Sequence, residues 1–258
     1  MTPIVTVLTT VRNGENFIED CVNSILNQTL KDFEYIILNN GSTDRTADIL
    51  DKFTDHRLKI VHQEDLGISA SLNKGVKLSR CDLIARLDAD DYCFPSRLER
   101  QVELMNQHSD VVLCGARYLE LTNGKFSQQR VPFVETDQAI RKSLSCFNPF
   151  AHSAVMFRKK TFIMAGGYSE QLKYSQDYDL WLQMLGFGGT CILKEDLIVV
   201  RVSEQSESHK NARKQKLEGF QIRWNAFQQF GGNPGEALYY FLKSLAGLIF
   251  SSKNHLNH

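Results

Sequence analysis

Four short apolar runs, separated by three stretches of helical period, occupy residues 4 to 87, and that alternation restricts the fold more than any other feature of the chain. Ile4 to Thr9, Phe33 to Leu38, Leu58 to His62 and Leu83 to Leu87 are rich in β-branched and large apolar residues and read as strands. Between the first two, Phe17, Ile18, Cys21, Val22, Ile25 and Leu26 fall at helical spacing. Asn39 to Asp44 forms a loop that caps a helix reaching about Phe53. Ile68, Leu72, Val76 and Leu78 mark a third helix. Strands alternating with helices predict an α/β fold: a Rossmann-like, mostly parallel sheet with helices on both faces. Ligands of such sheets bind outside the carboxyl ends of the strands. Thr10, Asn40 and Asp88 each lie just past such an end, so three separate loops are expected to meet in one crevice.

The rest of the chain is less regular. Pro95 suits a first helical turn, with the helix running to about Gln107. Val111 to Tyr118 reads as a strand, residues 119–130 as a hairpin around Asn123-Gly124, and Thr136 to Ser145 as a short helix. A strand is expected over His152 to Arg158, with Gly166-Gly167 stopping the helix after it. Asp177 to Leu185 reads as a helix whose Leu180, Trp181 and Met184 face a core. Cys191 to Leu193 and Leu197 to Val202 are expected as two short strands. Beyond about Glu207 the character becomes helical, first charged and then apolar. The expected division is therefore a main domain over 1–205 and a helical segment over 206–258.

The fourth strand ends in Asp88-Ala89-Asp90-Asp91. Three carboxylates so close repel one another, and a cation removes that cost. Oxygen ligands in an Asp-x-Asp arrangement suit Mg²⁺ or Mn²⁺, which bind through one or two carboxylates together with substrate phosphates. The alternative is a solvated turn that caps the next helix. Thirty basic and thirty acidic side chains cancel, so no global field draws the chain to nucleic acid. Six cysteines without a C-x-x-C pair suggest neither a zinc site nor a disulfide framework, and point to a reducing, cytoplasmic setting. No basic-then-apolar leader opens the sequence, and no run of 18 apolar residues occurs, so neither a secretory signal nor a membrane span is expected. Ala237 to Phe250 holds 14 residues with one charge, Lys243. As a helix it is about 21 Å long at about 1.5 Å per residue, too short to cross a bilayer. It is expected either to lie at a membrane surface, the cytoplasmic face of the inner membrane, or to pack on the main domain.

An ordered set of pieces now resembles glycosyltransferase family 2, the inverting class with the glycosyltransferase-A fold. Thr10-Val11-Arg12-Asn13-Gly14-Glu15 follows strand one, Asn39-Asn40-Gly41-Ser42-Thr43-Asp44 follows strand two, and Ile84 to Asp91 leads into Pro95 to Gln101. His152 to Arg158 precedes Gly166-Gly167-Tyr168, and Gln176-Asp177-Tyr178-Asp179-Leu180-Trp181 comes last. The likeness covers roughly residues 4–205, and its nearest subgroup resembles bacterial enzymes of capsule, exopolysaccharide and O-antigen synthesis.

The resemblance implies an inverting, metal-dependent hexosyltransferase using a UDP-sugar, UDP-glucose or UDP-galactose first. The acceptor it implies is lipid-linked, such as GlcNAc-diphospho-undecaprenol. Thr10, Arg12 and Asn40 match nucleotide-binding positions, and Asp88 matches the acid at the ribose and metal. Asp90 matches the direct ligand of Mn²⁺ or Mg²⁺, and Asp177 matches the catalytic base. The chain departs from the pattern at Asn39 and Asn40, where relatives carry two Asp, at Gln176, usually Glu, and at Ser203, often His. Two other functions fit these residues: a catalytically silent sugar-nucleotide binder, and a nucleotidyltransferase. Against the second, no Gly-rich phosphate loop follows strand one.

Overall fold

The computed structural model describes residues 2–202, 212–232, 234–236, 238–240 and 242. Three of the apolar runs form strands buried on both faces, and the third in chain order, Leu58 to His62, forms a partly exposed edge strand. β1 (Val5–Val11) and β2 (Phe33–Asn40) are buried almost without interruption, the pattern expected for parallel strands between helices. They pair in parallel with each other and with β3 (Leu58–Gln63) and β4 (Leu83–Arg86) on either side. The sheet continues antiparallel through β8 (Met156–Arg158) to β6 (Val111–Thr122), then parallel to β9 (Gly189–Arg201), and ends at the short β5 (Tyr92–Cys93). The order is β3-β2-β1-β4-β8-β6-β9-β5, with β7 (Lys125–Gln128) hairpinned onto β6.

Helices cover both faces. α1 (Ile18–Leu26), α2 (Thr46–Leu50) and α4 (Arg97–Gln107) seal a core containing Val5, Val7, Tyr35, Leu98 and Met105. On the other face, α3 (Ile68–Leu78), α5 (Asp137–Ser143), α6 (Lys159–Met164) and α7 (Gln176–Met184) enclose Leu8, Ile36, Leu72, Phe157 and Trp181. α8 (Ala212–Phe230) adds Ile222 and Ala226 to this second core. Thr6 and Thr9, buried within β1, are satisfied by the Glu34 carboxylate and the Leu87 carbonyl.

Several local expectations change. β2 runs on through Asn39 and Asn40, so both side chains lie inside the sheet and are buried. α2 is short and lacks a side-chain cap of its own. Asp44 bonds the Thr46 amide and hydroxyl instead. His152–Ala154 is a 3-10 turn, and only Met156–Arg158 pairs as strand. The two strands expected after residue 190 are one strand, β9, whose register against β6 shifts near Asp196. The Asn123-Gly124 hairpin is as expected: both residues take positive φ, 50° and 76°, as a type I′ turn requires. No helix among the described residues is long and apolar enough to cross a membrane. Ser203, most of the 237–250 run and the expected boundary at 205 fall wholly or largely outside the described residues.

Candidate active site

The carboxyl ends of β1, β2 and β4 are neighbours, and Thr10, Asn40 and Asp88 are brought together as expected. What supports the acidic cluster was not expected. Arg86, fully buried in an otherwise apolar strand, turns its guanidinium back under the loop. It donates to the Leu8 carbonyl at 3.0 Å, to the Leu87 carbonyl, and to Asp88 Oδ1 at 2.5 Å. Arg97, also fully buried, donates to the Arg86 carbonyl at 2.5 Å and to the Val155 carbonyl at 3.2 Å. Two buried cations thus underlie three carboxylates, which limits the repulsion that the sequence implies.

The three acids differ as a result. Burial opposes ionisation of Asp88, but the Arg86 charge, aided by a hydrogen bond from Ser153, outweighs it and holds the carboxyl below its ordinary range. Asp91 is pushed well up by burial and by the charges of Asp90 and Asp88. Its oxygens meet the Ser153 hydroxyl and the Arg201 amide. Ser153 has one proton and faces both Asp88 and Asp91. The network closes when Asp91 is protonated and donates to Ser153, which donates to Asp88. Asp91 therefore fastens the cluster to β9. Asp90 is half-buried and forms no ion pair among the described residues. Burial, then the Asp88 charge, raises it to about 6. The Arg201 guanidinium donates to the Asp90 carbonyl at 2.9 Å and pairs with Asp20 Oδ2 at 2.7 Å, lying between the Phe17 and Tyr92 rings.

This arrangement fits a divalent cation. Asp90 offers a desolvated carboxylate with no ion pair among the described residues, and Asp88, though held by Arg86 and Ser153, keeps lone pairs beside it. No group of three or more His, Cys, Asp or Glu among the described residues is arranged to hold a metal alone. A cation here would rest on Asp90, with Asp88 adjacent, and on phosphate oxygens of a ligand, as Mg²⁺ sites commonly do.

On the far wall, Asp177 sits in the first turn of α7. Asn148 Nδ2 donates to its Oδ2 at 3.0 Å. Burial, with a further contribution from the Asp88 charge, raises Asp177 to about 6, against the lowering effect of the Tyr178 amide and Asn148. Between Asp88 and α7 lies His152, whose Nε2 is 2.9 Å from the Tyr168 hydroxyl and whose Nδ1 is 3.9 Å from Asp88 Oδ1. Burial and the Arg86 charge lower it to about 3, so its ring is neutral. Trp181 is fully buried among Phe150, His152, Phe157 and Tyr168, a core residue as its spacing implied.

Thr10, Arg12 and Asn40, the residues expected at a nucleotide, lie on the β1 and β2 side of the crevice. Asn40 is tied inside the protein: its Oδ1 accepts from Gln63, Leu66 and Ser71, and its Nδ2 donates to Asp65 Oδ1 at 3.0 Å. Asp65 in turn pairs with Arg12 at 2.5 Å, and both are substantially exposed. Thr10 lies half-buried near the end of β1. Asp65, Arg86, Asn148, Ser153 and Arg201 are therefore site residues that sequence reasoning missed. Of these, Arg86 alone carried a signal, a charge in the middle of an apolar run.

The sequence model of the family described as glycosyl transferase family 2 matches residues 6–162. The amylovoran biosynthesis glycosyltransferase AmsE of Erwinia amylovora is 30% identical over 240 residues, covering 90% of this chain and 88% of its own. The O-antigen biosynthesis glycosyltransferase WbnJ of Escherichia coli is 32% identical over 250 residues, covering 94% and 96%. Among solved structures, S. aureus TarS 1–349 in complex with UDP-GlcNAc superposes with a TM-score of 0.72 at 16% identity, over 94% of this chain and 71% of that one.

Proposed function

This chain belongs to glycosyl transferase family 2, and on that premise we propose that it moves a hexose from a UDP-sugar to a saccharide acceptor, with inversion, in bacterial surface polysaccharide synthesis. UDP-glucose and UDP-galactose are the leading donors. The acceptor is lipid-linked, and the reaction is placed at a membrane surface on the cytoplasmic side. The names of AmsE and WbnJ support the polysaccharide class, and the UDP-GlcNAc complex of TarS supports a nucleotide-sugar donor.

The observation that carries the reading is the pairing of two half-buried carboxylates, Asp90 and Asp177, across one crevice, with the Asp88 charge raising both. Asp177 takes the proton from the acceptor hydroxyl as its oxygen attacks the anomeric carbon. The new C–O bond forms as the bond from that carbon to the diphosphate breaks, and the electron pair leaves with UDP. Asp90 and Asp88 would hold Mn²⁺ or Mg²⁺, which would supply Lewis-acid stabilisation of the leaving charge. Arg12 and Asp65 flank the nucleotide end of the crevice, with Asn40 bracing Asp65 from beneath. Thr10 lies beside them on β1.

A donor screen in Mn²⁺ against a GlcNAc-diphosphate-lipid analogue tests the proposal. Acceptor-dependent release of UDP from a UDP-hexose is expected. Release of no nucleotide from any donor would make the chain a silent binder, and release of pyrophosphate from a nucleoside triphosphate would make it a nucleotidyltransferase.

A further inference from the structure

The loop that carries Asp177 is held from α8. Residues 173 to 175 precede α7, and Ser175, its N-cap, makes no side-chain capping bond. The Ser175 amide is one that a helix start leaves without a partner, and those of Lys173 and Tyr174 lie in the loop before it. Glu218 of α8 takes all three: its Oε1 accepts from the Lys173 amide at 3.1 Å, and its Oε2 from the Tyr174 and Ser175 amides at 2.9 and 3.0 Å. The Ser175 hydroxyl donates to the Gln215 carbonyl at 3.3 Å, and Gln215 Nε2 donates to the Tyr174 carbonyl at 3.2 Å. α8 is itself fixed by Ile222 and Ala226, buried in the same core as Tyr178 and Leu180.

We infer that Glu218 is a positioning residue for the transfer reaction: it fixes the start of α7 and thereby aims Asp177 at the acceptor hydroxyl. The inference rests on Asp177 being the base. The geometry favours aiming over general support for three reasons. The three bonds are charge-assisted and converge on consecutive amides, so they constrain the backbone in more than one direction. The last of those amides is two residues from Asp177. The opposite side of Asp177 has a single side-chain tether, Asn148, which itself accepts from the Phe150 amide. Asp177 is thus held between a loop braced by Asn148 and a loop braced by Glu218. A displacement of about 1 Å at a reacting group can cost on the order of a hundredfold in rate.

The test compares wild type, Glu218→Gln, Asp177→Asn and the double variant as full-length proteins in Mn²⁺. The measurements are kcat, KM for donor and acceptor, and UDP affinity by calorimetry. Gln keeps the length and one acceptor oxygen but loses the charge and the second acceptor. Glu218→Gln should lower kcat on the order of tenfold, leaving UDP affinity and donor KM unchanged. In the Asp177→Asn background the same change should cost nothing further, because the residual rate no longer uses the base. A kcat for Glu218→Gln within twofold of wild type overturns the inference. So does an equal fractional loss in both backgrounds, which marks a general structural role. Should Glu218→Gln not fold, Glu218→Asp, which keeps the charge at shorter reach, is read by the same criteria. Near-normal turnover by Asp177→Asn instead sinks the base assignment, and this inference with it.

Discussion

Asp177 and Asp90 are carboxylates that the protein makes hard to ionise, and that difficulty has consequences at the scale of single residues. Asp177 must be ionised to accept a proton. With its value raised to about 6 by burial first and the Asp88 charge next, kcat should fall on acidification with a limb near pH 6. A limb near the ordinary carboxylate value, below pH 5, would contradict the assignment. The same shift bears on stability, with a defined sign. An acid whose folded value is raised destabilises the folded state once ionised; the cost is complete above about pH 6 and vanishes below the unfolded value of 3.8. Asp177→Asn should therefore raise Tm at pH 8, and the gain should shrink to nothing by about pH 4. Asp90 makes a different demand, because its carboxylate forms no ion pair among the described residues. Asp90→Ala should abolish transfer and weaken UDP binding in Mn²⁺ while leaving the fold intact. Full wild-type activity in excess EDTA would contradict a metal role.

At the scale of elements, the close packing of α3 on the sheet depends on one position. A Cβ at Gly75 would lie 2.3 Å from Leu8 Cδ1 and 3.1 Å from Leu38 Cδ1, and both leucines are fully buried. Gly75→Ala should destabilise by about 1–3 kcal/mol through overpacking, despite the better helix propensity of Ala, as denaturant unfolding would measure. No gain of stability is compatible with this contact. Which elements were legible in the sequence follows the same logic of burial. β1, β2 and β4 were readable because strands buried on both faces must be nearly continuous and apolar, and β3, a partly exposed edge strand, because Leu58, Ile60 and Val61 still form a short apolar run. The Asn123-Gly124 hairpin was readable because few residues tolerate its backbone. Asn39 and Asn40 were read as loop because polar residues are rarely built into a buried strand; here His62, Ser42, Gln63 and Asp65 satisfy them. β9 was read as two strands because Lys194, Glu195 and Asp196 interrupt its apolar pattern at the place where its register shifts.

For the whole molecule, the sequence named the acids of the site but not what makes them usable. Asp88, Asp90 and Asp177 stood out by spacing and resemblance. Arg86, Ser153 and Asn148 reach them from 2, 65 and 29 positions away in the chain, Glu218 holds the Ser175 amide just before Asp177 from 43 positions away, and only folding brings the last three close. On the proposed function, they leave Asp177 alone on the wall opposite the Asp88–Asp91 cluster, an arrangement suited to a single displacement. The configuration of the product at its new glycosidic carbon tests that claim most directly. With an α-linked UDP-hexose of the gluco or galacto series as donor, proton NMR of the purified product should give the large diaxial anomeric coupling of a β linkage. The small coupling of an α linkage would contradict the account.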